Sequence, residues 1–356
     1  MCLVLHNQTI IASSKESVLS TSRATNRIQK LAFSILISAT LLYIAFQNID
    51  WNRVSEQVQS VPPWCIFGFV TIQFVMFGCR VWRWALLTNP FAPLPFSEHC
   101  RITALGVACI VLFPLRLGEL VRPILLARES HQSISSGLAA TVVERTLDGV
   151  FITCVFFLST AALPKTLSIP ASLEHIGWLS LVAFSLAVIG LICFWRWQSQ
   201  STTLINRTIG SIAPKLTTRI QNLLNSFHLG LSALPNPTTL LLVLLSSLLF
   251  WAVQAFGVHL LMEGLGWKLP AVAPLLITSV VVLAIMAPGG PAFLGTYQTG
   301  ILLGVSVFGL SGSEAMTLGL IMYPISILVP IVLAIPYLFG TKFSVQELSH
   351  YKHRGI

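Results

Sequence analysis

Glu144, Arg145 and Asp148 lie in the middle of a long apolar run, 133–163, in a chain that is 54% hydrophobic and only 9% charged. That placement restricts the fold more than any other feature. Soluble proteins average about 25% charged residues, and the mean hydropathy here is +0.81. The chain therefore reads as an all-α polytopic membrane protein. A bilayer admits only segments that satisfy their own backbone polar groups, and these runs have helical length. An ionisable side chain at bilayer depth costs about 2.5–3.5 kcal/mol on insertion scales, so three together require partners or a wet cavity.

A second charged stretch, RLGELVRP at 116–123, precedes that run. On a helix Arg116, Glu119 and Arg122 fall at i, i+3 and i+6, close to one face. Glu144 and Asp148 are i, i+4 neighbours, and Arg145 precedes Asp148 by three. Arg80 and Arg83, beside Trp82 and Trp84, read as an interfacial anchor at the end of a span and add positive charge from there. The planar arginine fork suits carboxylate or phosphate. Two readings of the cluster stand together. Ion pairs could brace the 116–123 segment against the 133–163 helix, or the arginines could face a cavity and hold a phosphate.

Apolar runs predict crossings at 28–47, 62–86, 133–163, 176–195, 238–262, 270–288, 290–310 and 315–339. The stretch 101–127 does not behave as a span. Its clean apolar part, 102–115, falls short of the roughly 20 residues a crossing needs. The basic segments (the N-terminus, 196–236 and the C-terminus) should be cytoplasmic. Parity then requires 101–127 to enter and leave by one face. The expected architecture is about eight transmembrane helices plus a re-entrant helical hairpin, with a broken helix in the C-terminal half. In domain terms, 1–27 is a disordered cytoplasmic tail without a signal peptide, 28–340 one transmembrane domain and 341–356 a cytoplasmic tail. Segment 48–61 reads as a loop. In 196–236 an apolar stripe from Leu204 to Phe227 describes an amphipathic helix on the cytoplasmic leaflet, kinked or divided at Pro214.

The interruptions come one to each half. Gly118 and Pro123 break the first segment. Pro288, Gly289, Gly290, Pro291 and Gly295 break the second, in PGGPAFLGTYQ (288–298). Paired Gly/Pro-broken segments point to a midplane binding site in transporters; the alternative is kinked packing helices. Tyr297 and Gln298 follow the second break and suit either a lipid headgroup or helix packing. His259, near Gln254, reads as a helix–helix hydrogen bond.

Several classes drop out. The seven cysteines are scattered without a C-x-x-C, so neither a disulfide framework nor a metal site is expected. No catalytic triad, P-loop, zinc or dinucleotide signature stands in a credible context, so no catalytic residue and no cofactor is expected. The net charge of +9 reads as cytoplasmic loop bias, with no nucleic-acid partner.

RLGELVRP, then VVERTLDG (142–149), then PGGPAFLGTYQ resemble the flippase-like integral membrane family that includes the transmembrane domain of lysylphosphatidylglycerol synthases. The resemblance runs roughly from residue 28 to 340. Ala292 stands where many members have Gly, and Gln298 where many have Glu. The resemblance implies a bacterial inner-membrane lipid translocase, a flippase or scramblase for an aminoacylated phospholipid or a polyprenyl- or glyco-lipid. Arg116, Glu119, Arg122, Glu144, Arg145 and Asp148 would line or brace its cavity. The last predicted span ends at 339 of 356 residues, so lysyl transfer from tRNA is not expected. The alternatives are an intramembrane enzyme acting on a lipid phosphate, or a partner presenting lipid to a separate glycosyltransferase or synthase.

Overall fold

Eleven helices account for most of the described chain, and their lengths divide them into long and short ones. The computed structural model describes residues 49–113, 118–209, 214–286 and 291–338, with 40, 42 and 43. The predicted first span, 28–47, lies almost wholly outside the described residues. Helix α1 (Trp51–Ser60) starts at Asp50, whose carboxylate accepts from the Asn52 and Arg53 amides. The segment read as a loop is thus helical, because Asp50 satisfies two of the orphan amides of a first turn.

Then come α2 (Pro63–Thr88), α3 (Phe96–Leu112), a 3-10 turn at 118–120, α4 (Val121–Ser130) and α5 (Ile134–Ala161). Helix α6 (Ala171–Ile209) bends at Trp197. After it follow α7 (Pro214–Gly230), α8 (Pro237–Gly264), α9 (Ala273–Met286), a 3-10 turn (Pro291–Phe293), α10 (Thr296–Ser306) and α11 (Gly312–Leu338).

Among the described residues, four stretches are long and apolar enough to cross a membrane: Pro63–Thr88, Ala171–Trp197, Pro237–Gly264 and Gly312–Leu338. Helix α5 has the length, 28 residues, but carries the three charges. On α6, Leu179, Val182, Leu186 and Ile189 are all exposed, a continuous apolar flank suited to lipid rather than water. The chain is an all-helical, multi-pass membrane protein.

The short helices form two hairpins. Helices α3 and α4 have 17 and 10 residues and pack antiparallel on each other, with Gly106 beside Arg122 and Gly118 beside Cys109. The stretch 290–310, expected to cross, contains only the 3-10 turn and the 11-residue α10. At 1.5 Å per residue α10 spans about 16 Å of a roughly 30 Å core. It packs antiparallel on the 14-residue α9, with Gly300 facing Val281 and Ala284, and Gly304 facing Ile277.

The two halves repeat one order of elements: a short amphipathic helix, a long helix, two short helices and a long helix. Helices α2, α3 and α5 begin at 63, 96 and 134, and α8, α9 and α11 at 237, 273 and 312. The pairing is reciprocal. Helices α2 and α8 run antiparallel through the centre, with Gly264 beside Cys65, Gly257 beside Phe69 and Ile72, and Ser247 beside Arg83. Helix α3 lies against α11, and α9 against α5.

The leading amphipathic helices are exchanged. Helix α1 docks on the start of α11, where the Asp50 amide donates to Ser313 Oγ at 3.0 Å and Thr317 Oγ1 donates to Gln57 Oε1 at 2.8 Å. Helix α7 docks on the start of α5, where Ser135 Oγ donates to the Leu223 carbonyl at 3.0 Å and Gly230 abuts Ser136. Within 196–236, Pro214 begins α7, a position where its missing N–H costs nothing. The end of the predicted stripe packs on protein, with Phe227 edge-on to Phe194 at 5.2 Å.

Candidate functional site

Glu144, Arg145 and Asp148 fall near the middle of α5. Its apolar length places them far from both ends, so the neighbouring helices must supply the countercharges. Helix α2 does so. It continues to Thr88, so Arg83 lies more than a turn inside it, 1% exposed. Arg83 Nη1 donates to Asp148 Oδ1 at 2.7 Å and to Ser247 Oγ at 3.1 Å. Its Nη2 donates to Glu144 Oε1 at 2.8 Å and to Asp148 Oδ2 at 3.2 Å.

Arg122, the second residue of α4, completes the cluster from the first hairpin. Its Nη1 donates to Glu144 Oε2 at 2.7 Å, and its guanidinium lies over the Trp84 ring, 3.9 Å from the centroid. Arg145 Nη2 stands 3.3 Å from both Glu144 Oε1 and Asp148 Oδ2. Glu144, fully buried, thus contacts three arginines. Pairing of this quality is what a buried carboxylate requires.

Glycines let the hairpin come this close. A Cβ on Gly106 would strike the Arg122 stem, and one on Gly118 would strike the Cys109–Ile110 backbone. Pro123 packs on Gly137.

Beside the cluster opens a cavity of about 200 Å³. Its charged lining residues are Arg80, Glu119, Arg145 and Asp148, all from the first half of the chain, and its neutral polar ones include Gln73, Gln254, Thr278, Tyr297 and Ser326. The remaining lining is largely apolar and includes Phe77, Trp251, Val281, Phe293 and Met286. Both interrupted segments reach the cavity, through Glu119 and through Phe293 and Tyr297.

The second break is held in an unusual conformation. Ala292 and Phe293 have φ of 57° and 58°, and Gly295 85°. Tyr323 donates its hydroxyl to the Ala292 carbonyl at 3.0 Å and packs on Tyr297, with ring centroids 5.2 Å apart.

Of the predicted site residues, Glu119, Arg145, Asp148 and Tyr297 line the cavity, and Arg122 and Glu144 form its buried support. Gln298 does not line it; its Oε1 accepts from the Gly295 amide at 2.9 Å and caps α10. Pro291 begins the 3-10 turn. Arg116, Pro288, Gly289 and Gly290 lie outside the described residues. Within the described part of 116–122, a 3-10 turn at 118–120 leads into a new helix start at Val121. His259 stands 3.4 Å from Glu263 on its own helix, while Gln254 faces the cavity. Sequence reasoning placed Arg83 at the interface; the apolar Ala85-Leu86-Leu87 that follows it was the signal that α2 runs on.

These features define a multi-pass membrane protein with a buried arginine–carboxylate cluster beside an amphipathic cavity. The family described as the lysylphosphatidylglycerol synthase TM region matches residues 31–334, and the chain belongs to it. No curated protein and no solved structure matches the chain.

Proposed function

We propose that this protein moves an anionic lipid (aminoacylated, polyprenyl-linked or glycosylated) between leaflets of the bacterial inner membrane. The observation that carries this reading is the cavity itself. Charged groups and neutral polar groups share its lining, and the remainder is apolar enough for lipid chains. A headgroup would pass along Arg80, Arg145 and Asp148 while its tails stay in hydrocarbon.

The reciprocal halves support a topology for this role. The predicted span 28–47 together with α2, α5, α6, α8 and α11 gives six crossings. The hairpins α3–α4 and α9–α10 then enter from opposite faces, and both termini are cytoplasmic. Inverted halves around a midplane site suit alternating exposure to the two leaflets. This replaces the eight crossings expected from hydropathy, since the two helices at 270–310 become one re-entrant pair and parity is unchanged.

The test is leaflet exchange in proteoliposomes carrying fluorescent phosphatidylglycerol, aminoacyl-phosphatidylglycerol or polyprenyl phosphate, with chemical quenching of the outer leaflet. Exchange faster than in protein-free vesicles, and lost in folded Arg145→Gln protein, is the expected result. Chemically altered lipid recovered from the vesicles would instead favour an intramembrane enzyme. Exchange no faster than in protein-free vesicles, with lipid unaltered, would favour presentation of lipid to a separate enzyme.

A further inference from the structure

We propose that Arg80 is the anchor of a receiving site for a singly charged phosphodiester headgroup, with Arg145 as its second prong. The inference deepens the lipid-handling reading and rests on it.

The argument begins with which charges are already used. Arg83, Arg122 and Arg145 all contact Glu144, and Arg83 and Arg145 also contact Asp148. Glu119 has a partner of its own. Arg80 stands apart. It lies three residues before Arg83 on α2 and lines the cavity, and among the described residues it makes no ion pair. Its contact is with the Phe250 ring, 5.2 Å from guanidinium carbon to centroid. That ring fixes the guanidinium without satisfying its five donors. Arg145 also lines the cavity, with 29% of its side chain exposed.

Charge then selects the ligand. Arg83, Arg122 and Arg145 each stand within ion-pair distance of Glu144 or Asp148, whereas Arg80 has no carboxylate at that distance among the described residues. In a low-dielectric cavity one unpaired guanidinium calls for one negative charge. A phosphodiester supplies it and offers acceptor oxygens to both forks. Elsewhere in the lining Gln254, Tyr297 and Ser326 present neutral donors and acceptors, suited to glycerol and ester oxygens rather than to a second charge.

The test uses purified full-length protein in detergent. Binding of phosphatidylglycerol, of zwitterionic phosphatidylcholine and of water-soluble glycerophosphoglycerol is followed by native mass spectrometry and thermal shift. Wild type should prefer phosphatidylglycerol over the other two by at least about tenfold, the scale of one charge-assisted hydrogen bond. Arg80→Gln should abolish that preference in protein that still folds, its ligand-free melting temperature lowered only by the lost Phe250 contact, because no ion pair is lost. Arg80→Lys, which keeps the charge but loses the fork, should retain part of it.

Three outcomes overturn the inference: a preference undiminished in Arg80→Gln, wild type that does not distinguish the two lipids, or glycerophosphoglycerol binding as tightly as the lipid. Leaflet exchange run in parallel separates this from the broader reading. Exchange that is equal in wild type and Arg80→Gln removes the anchor and leaves the translocase. Arg80-dependent binding without exchange removes the translocase and leaves the site.

Discussion

Arg122 lies over the Trp84 ring, 3.9 Å from guanidinium carbon to ring centroid, while its Nη1 donates to Glu144 at 2.7 Å. One side chain thus fastens α4 to both α2 and α5. The stacking needs a planar cation, which makes lysine a poor replacement. Arg122→Lys should destabilise the protein by about 1–3 kcal/mol, from a weakened cation–π contact and a poorer charged hydrogen bond. Thermal unfolding in detergent reads this directly. A melting temperature equal to wild type would mean that the stack contributes nothing.

Arg83 supports a stronger prediction. It contacts both buried carboxylates, so Arg83→Met leaves Asp148 and Glu144 with fewer partners at a buried site. Breaking one side of a buried pair typically costs about 3–5 kcal/mol. Adding Asp148→Asn removes one of the abandoned charges, so the double variant should be more stable than Arg83→Met alone. That non-additivity is the signature of direct coupling. Simple addition of the two losses would show that Arg83 and Asp148 do not interact energetically.

Much of this site was legible in the sequence because charge inside an apolar run has few explanations. Arg122, Glu144, Arg145 and Asp148 stood out on those grounds. Arg83 did not, because an arginine beside tryptophans near a span end also fits the membrane interface. Only the continuation of α2 to Thr88 buries it. Length marked 101–127 as too short for a simple span, and α3 and α4 within it do pack on each other. The packing of α9 on α10 left no such sign, since hydropathy sees only two apolar runs there. The paired interruptions were visible, but the reciprocal docking of α1 on α11 and α7 on α5 is tertiary and leaves no residue-level repeat. Gly118 read as a helix breaker; its structural role is close approach to the Cys109–Ile110 backbone.

Arg145 separates support from function. It lines the cavity, its side chain is 29% exposed, and its ion pairs at 3.3 Å are longer than those of Arg83 and Arg122. Arg145→Gln should therefore lower stability by only about 1 kcal/mol, in the range of partly exposed pairs, while leaflet exchange falls at least about tenfold. A variant that melts like wild type and exchanges lipid at the wild-type rate would remove Arg145 from the translocation route.

Ala292 and Phe293 hold left-handed backbone at the edge of the cavity, with φ of 57° and 58°. For an L-residue this conformation costs about 1–2 kcal/mol, and the Tyr323 hydroxyl on the Ala292 carbonyl helps to hold it. Glycine adopts the same backbone freely but loses about 0.5–1 kcal/mol more chain entropy on folding. Ala292→Gly should therefore leave stability unchanged or raise it by up to about 1 kcal/mol, whereas Ala→Gly inside a helix lowers it. The control is Ala284→Gly in α9, which should melt earlier than wild type. Equal losses at 284 and 292 would show that the second break is not under strain, and that Phe293 reaches the cavity without being forced there.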